Sequence, residues 1–292
     1  MVPVEYIAHV RKEEGGEWET HDLARHLLET AERAGKFGNK FGAGKVAYLS
    51  GLWHDLGKFH PDFQERIRIK SGYFLGEDAH LEGKTPKHVE HSTPGGIHCE
   101  EFGEKISVEP VSFPILCHHT GLKNSTHVEG RIAEEGNVKF YRELLEHVPE
   151  EILKPNGIDL TEKTLQKPPG FEKSLFIRMV FSALTDADWL GTEKFMNPER
   201  SRFRETPGPN LSELQSRLDA FLIRLAKNAK PSPVNRIRGR ILEEVRKKAN
   251  REPGFFSLNV PTGGGKLGRA PPDLGGTRDR VKGTRSSSLY RK

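Results

Sequence analysis

The sequence predicts an all-α protein, on three observations. Apolar residues recur at three- and four-residue steps through nearly every segment. Strand signals are scarce, residues 255–260 being the best of them. The 292-residue chain is 34% hydrophobic and 30% charged, a balance that suits surface-rich amphipathic helices while leaving length enough for a proper core.

Thr20 can cap a first helix in which Leu23, Leu27, Leu28 and Ala31 share a stripe, ending near Gly35. Val46, Leu49, Leu52, Trp53 and Leu56 mark a second, stopped at Gly57. Pro61 suits the first turn of a third, which carries Phe63, Ile67 and Ile69. Residues 72–86 are Gly-rich and weakly periodic, and read as a loop. Helical spacing resumes at 91–103, 110–119, 126–135 and 138–147. Pro149, Pro155, Pro168 and Pro169 make 149–170 an irregular connection. A long helix is predicted over 171–195, with Leu175, Met179, Ala183, Asp186 and Leu190 on one face, followed by basic helices at 210–228 and 233–250. From Leu267 the chain is rich in Arg, Gly, Pro and Ser and has too little apolar surface to offset its ordering entropy, so a disordered basic tail is expected over 267–292. The expected organisation is a domain at 1–228, a linker helix and the start of a second domain at 229–266, and the tail.

Charge and cysteine content narrow the function. The net charge is +5, but 267–292 alone holds seven Lys/Arg against two Asp, leaving 39 charges of each sign in the body. Any nucleic-acid contact therefore rests on local patches. One is 230–251, with eight Lys/Arg (Lys230, Arg236, Arg238, Arg240, Arg246, Lys247, Lys248, Arg251) against two Glu; a solvated helix face is the plainer reading of it. The two cysteines, Cys99 and Cys117, form no Cys-x-x-Cys pair, which argues against a disulfide framework or a thiolate zinc site. No stretch approaches membrane-spanning length and the first residues lack a signal-peptide pattern, so a cytoplasmic location is expected.

Thirteen histidines are present, several beside one another or beside Asp. His54-Asp55-x-Gly57-Lys58 is the sharpest signal: imidazole and carboxylate both bind first-row divalent metals, Gly57 lets the chain turn close behind them, and Lys58 supplies a cation for a phosphate oxygen. His26 lies on the stripe of Leu23 and Thr30 and faces the interior; alone it would read as a core histidine. His91 begins a predicted helix, and His118-His119 ends another where the backbone loosens. Asp186 shares a face with Met179, Ala183 and Leu190, so its carboxylate needs a partner; Asp188, out of phase, is expected to face solvent or cap something else. His21, His88 and His98 stand as outer candidates, while His9, His60, His80, His127 and His147 are assigned no role.

In the order Arg25-His26-Leu27, Trp53-His54-Asp55-Leu56-Gly57-Lys58, Glu90-His91-Ser92, Cys117-His118-His119-Thr120-Gly121 and Thr185-Asp186-Ala187-Asp188-Trp189, these motifs resemble the HD superfamily. Within it, the Leu-Thr-Asp-Ala-Asp-Trp-Leu and His-His-x-Gly stretches resemble the HD nuclease domain of the CRISPR-associated nuclease–helicase of type I systems, over about residues 15–265. The resemblance implies an HD-domain helical bundle that cuts single-stranded DNA in antiviral defence, with the CRISPR surveillance complex (Cascade) as a partner. It further implies two divalent transition metals, iron, manganese, nickel or cobalt with magnesium also open, bridged by Asp55. His26, His54 and Asp186 would hold one, and His91, His118 and His119 the other. Asp55 and Lys58 are then the catalytic candidates, Lys58 steadying the phosphate with help from the 230–251 patch.

Residues 255–266 read as a strand entering a phosphate-binding loop, with Gly263, Gly265 and Lys266 as vestigial nucleotide-binding candidates. Leu267 stands where a magnesium-binding Ser/Thr is required, so the reading is a chain truncated at its first helicase motif and without ATPase activity. Two other classes fit the residues: a phosphohydrolase acting on nucleotides or cyclic nucleotides, and a non-catalytic scaffold around structural metal.

Overall fold

A computed structural model describes residues 6–13, 15–74, 89–102, 108–156, 171–249, 251–252 and 257–260. The expected phosphate-binding loop (Gly263, Gly265, Lys266) and the tail lie outside the described residues.

The all-α expectation holds. Twelve α-helices and one small antiparallel sheet are found among the described residues, and the chain divides into two compact units, 1–207 and 208–292.

The first unit opens on a hairpin, β1 (Ile7–Lys12) paired with β2 (Trp18–Asp22), which the sequence reading missed. Its signal was the Gly15-Gly16 turn, with Gly16 at a φ of 86°. The expected strand at 255–260 has no regular structure over 257–260; residues 255 and 256 are outside the described set. Because β2 takes up Thr20, the cap of α1 (Leu23–Asn39) is Asp22, whose carboxylate accepts from Arg25 N at 2.8 Å.

Helix α2 (Gly44–Trp53) is buried on all sides, from Val46 through Trp53 with only Tyr48 less covered, and this makes it the central element. It packs on α1, which comes so close that a Cβ on Gly51 would lie 2.7 Å from Ala31 Cα. A 3-10 turn (Leu56–Phe59) and α3 (Pro61–Ser71) follow. Helices α4 (Thr93–Phe102) and α5 (Glu109–Cys117) cover the far side of α2. Helices α6 (Ser125–Ala133), α7 (Glu135–Leu144) and α8 (Glu150–Leu153) form the outer wall, where Ile152 O accepts from the fully buried Trp53 indole at 2.8 Å. The long α9 (Phe171–Met196) returns across α1, α2 and α5, and α10 (Pro198–Glu205) closes the unit. Both cysteines are buried and free.

In the second unit, α11 (Leu211–Asn228) begins with an Asn210–Glu213 capping box, and α12 (Pro233–Ala249) ends in Arg246, Lys247 and Lys248, cations that complement a helix C-terminus. An Arg246–Asp219 ion pair joins the two helices. No described helix is long and apolar enough to cross a membrane.

Candidate metal centre

Five separate pieces of chain converge at the end of α2. His26 projects from the buried stripe of α1, and His54 and Asp55 sit where α2 breaks into its 3-10 turn. His91 precedes α4, and His118 and His119 follow the last turn of α5. Asp188 completes the set from α9. Such helix ends free the backbone to turn adjacent side chains inward, which is why a His-Asp and a His-His doublet can each place both members in one site.

Asp55 is 2% exposed and organises the cluster through its two oxygens. Oδ2 faces His54 Nε2 at 3.2 Å and His26 Nε2 at 3.7 Å. Oδ1 faces His118 Nε2 at 3.5 Å and His91 Nε2 at 3.6 Å. Asp188 Oδ1 lies 3.6 Å from Nε2 of both His26 and His54, and His91 Nε2 lies 2.8 Å from His119 Nε2. Two donor groups result, Asp55 with His91, His118 and His119, and His26 with His54 and Asp188.

The chemistry of these donors fits divalent metal. Nε2 of His26, His54 and His118 and Oδ1 of Asp55 are buried without a hydrogen-bond partner, a costly arrangement unless something binds them. Their spacings approach the roughly 3–3.5 Å expected between ligand atoms that share a cation at about 2.0–2.2 Å. His54 Nδ1 lies 2.8 Å from Gly51 O and His118 Nδ1 2.6 Å from Ile115 O. Each Nδ1–H therefore donates to a carbonyl three residues back and turns Nε2 into the site, where its lone pair serves a metal once that metal has displaced the ring's second proton.

The electrostatics agree. Burial pushes the Asp55 carboxyl up, but the charges of His54 and Lys58 overcome this and hold it well below the ordinary carboxylate range. Burial likewise raises Asp188, and the His54 imidazole 3.6 Å away pulls it below that range. His54 is disfavoured as a cation by burial, yet the flanking Asp55 and Asp188 drive it up to about 10. This pocket is built to hold positive charge. His91, by contrast, is lowered to about 4, chiefly by burial.

The placement expected for Asp186 is corrected: Asp188 is the carboxylate that joins the cluster. The buried stripe of α9 is Phe176, Val180, Ala183, Leu184, Ala187 and Gly191, whereas Met179 is 38% exposed. Taking Met179 as a core marker rotated the assumed inner face. Two residues on a helix differ by about 200°, so the correct phase turns Asp188 inward and leaves Asp186 exposed. Asp188→Ala is expected to lower bound metal and cleavage by about 100-fold or more, on the scale of lost metal-site contacts, and Asp186→Ala by less than about twofold. Metal analysis and a nuclease assay on the two variants check this; equal effects would return Asp186 to candidacy.

Lys58 is also placed differently from the role the sequence suggested. It is 7% exposed, its ammonium lying 2.8 Å from Asp55 Oδ2 and donating to Ala8 O at 3.3 Å. It anchors Asp55, and this contact engages the charge assigned to a phosphate.

Of the other histidines, His98 is a fold element, 3.0 Å from Tyr141 Oη and 2.9 Å from Leu153 O. His60 caps α3 by accepting from Asp62 N. His9 and His21, passed over or ranked low in the sequence, lie against His26, with ring centroids 4.8 and 5.2 Å away. Burial, with repulsion from Lys58 and His26, lowers His9 to about 2, and burial with His26 lowers His21 to about 4. Their signal was the hairpin itself, which sets His9 opposite His21.

Comparison with curated proteins gives no match. Comparison with protein families matches residues 8–195 to the family described as Cas3, HD domain. All seven of the gathered side chains fall inside that span, from His26 to Asp188. More than half of the chain lies within the match, and it therefore belongs to the Cas3 HD-domain family of metal-dependent nucleases in CRISPR defence.

Proposed function

We propose that the domain hydrolyses phosphodiester bonds of single-stranded DNA at two divalent transition metals. The observation that carries this reading is the two-sided Asp55, whose oxygens face separate donor groups. His26, His54 and Asp188 would hold one metal, and His91, His118 and His119 the other, with Asp55 between them. Imidazole-rich ligation favours manganese, iron, cobalt or nickel over magnesium. When bound, such a pair lowers the pKa of water and stabilises charge developing on phosphate.

The protein's own contribution is positional. Gly51 O and Ile115 O fix the rings of His54 and His118, and Lys58 with Ala8 O fixes Asp55. His26, His54, Asp55 and His118 are buried, while His119 is exposed and the His91 side chain is 20% exposed. A phosphate reaching the centre approaches over that rim. A single strand can bend its backbone into such a recess, which supports it over a stiff duplex as substrate. Docking on a CRISPR surveillance complex belongs to the same reading.

The test is cleavage of labelled single-stranded DNA, duplex DNA and a mononucleotide panel by the purified protein with manganese, nickel, cobalt or iron. Single-stranded DNA is expected to be cut and duplex spared, with chelation returning the rate to background. Turnover of mononucleotides alone would point to a nucleotide phosphohydrolase; bound metal without any hydrolysis would point to a scaffold.

A further inference from the structure

We propose that His9, His21 and His26 form a further cation site, selective for zinc-class metals. One ring nitrogen of each lies within 4.8 Å of the others. His9 and His21 are cross-strand partners in the β1–β2 hairpin, and their Nδ1 atoms approach to 3.3 Å. That spacing matches the edge of a tetrahedron of nitrogens bound at about 2.0–2.1 Å, which is about 3.3–3.4 Å. His26 enters from α1, its ring edge-on to both others. Three elements thus supply three imidazoles to one point.

The donor set differs in kind from the centre beside it. It contains no carboxylate, and nitrogen-only ligation selects zinc, copper, nickel or cobalt against magnesium, calcium and manganese. A cleft of about 280 Å³ reaches His21, one of the three rings, and gives an ion access to it. Its three carboxylates, Glu19, Asp22 and Glu29, are matched by Arg11, Arg25 and Lys194, so the cleft supplies access and no net field. His26 belongs also to the group with His54 and Asp188; it faces two ions at once as an imidazolate, its ring N–H proton being released to solvent when the second ion binds. The competing account is ring packing with a His9–His21 hydrogen bond, since the Nδ1 contact also suits an imidazole pair and His21 stacks on Phe195 with centroids 4.8 Å apart.

The site is tested by zinc stoichiometry on the full chain, stripped with chelator, dialysed against zinc and assayed by elemental analysis. Wild type is expected to hold one equivalent more than His9→Asn or His21→Asn. The same difference of one is expected in a His54→Ala background, where the neighbouring donor group is broken, so failure of the nuclease reading leaves this result untouched. A further measurement needs no substitution: zinc should shift the ¹⁵N resonances of the His9 and His21 rings in the wild type. Equal zinc in wild type and the folded variants, or ring resonances indifferent to zinc, overturns the proposal in favour of ring packing.

Discussion

Asp55→Asn is expected to reduce metal-dependent cleavage by at least about a thousandfold, equivalent to about 4 kcal/mol of barrier. The amide keeps the shape of the carboxylate and removes its charge. Both oxygens are engaged, Oδ2 toward His54, His26 and Lys58 and Oδ1 toward His118 and His91, so one atom substitution disturbs both donor groups. The variant also leaves the Lys58 ammonium buried without its counter-charge, a loss of about 3–5 kcal/mol when one partner of a buried pair is removed. Asp55→Asn/Lys58→Met separates the two effects. It removes the stranded charge, so the thermal midpoint should recover while cleavage stays at background. Recovery of cleavage in the double variant would show that Asp55 acts only by neutralising Lys58. Full activity of Asp55→Asn itself would refute the assignment.

Gly57→Ala should cost about 100-fold in cleavage and lower the manganese content from two equivalents to one. Gly57 does not adopt a positive φ, so the turning role expected of it is not what the backbone uses. What it provides is close approach. Its N–H donates to His91 O at 3.0 Å, and a Cβ there would lie 2.5 Å from both His91 Cα and His91 O. These are backbone atoms and cannot swing aside as a flexible side chain would. The His91 segment must retreat, and a shift of about 1 Å in a reacting constellation costs about 100-fold. His26, His54 and Asp188 do not depend on this contact, so one metal should remain. Overpacking should also cost about 1–3 kcal/mol of stability. Elemental analysis, a urea melt and the nuclease assay together check the prediction; unchanged metal content and rate would count against it.

Much of this was legible in the chain itself. Helical spacing located α1, α2, α3, α5 and α9 within a few residues, because each buries one stripe or, for α2, its whole surface. Five motifs in order carried the resemblance; a single doublet says little, since His21-Asp22 is also an adjacent pair and its Asp22 caps α1. The hairpin escaped because its strands are five and six residues long and carry His, Arg, Lys and Glu. Short polar strands are held by pairing across the hairpin and leave little trace in hydropathy.

What the sequence by itself determined is the inventory: an all-α HD-type domain, and six donors (His26, His54, Asp55, His91, His118 and His119) that the fold then gathered. Tertiary structure decided the rest. It turned Asp188 inward in place of Asp186, because helical pitch fixes relative phase while packing against α1, α2 and α5 fixes which face is inside. It engaged Lys58 with Asp55 and gave Asp55 its two faces. It also brought His9 and His21 against His26. These are contacts between distant segments, and their distances follow from packing, which no local pattern records.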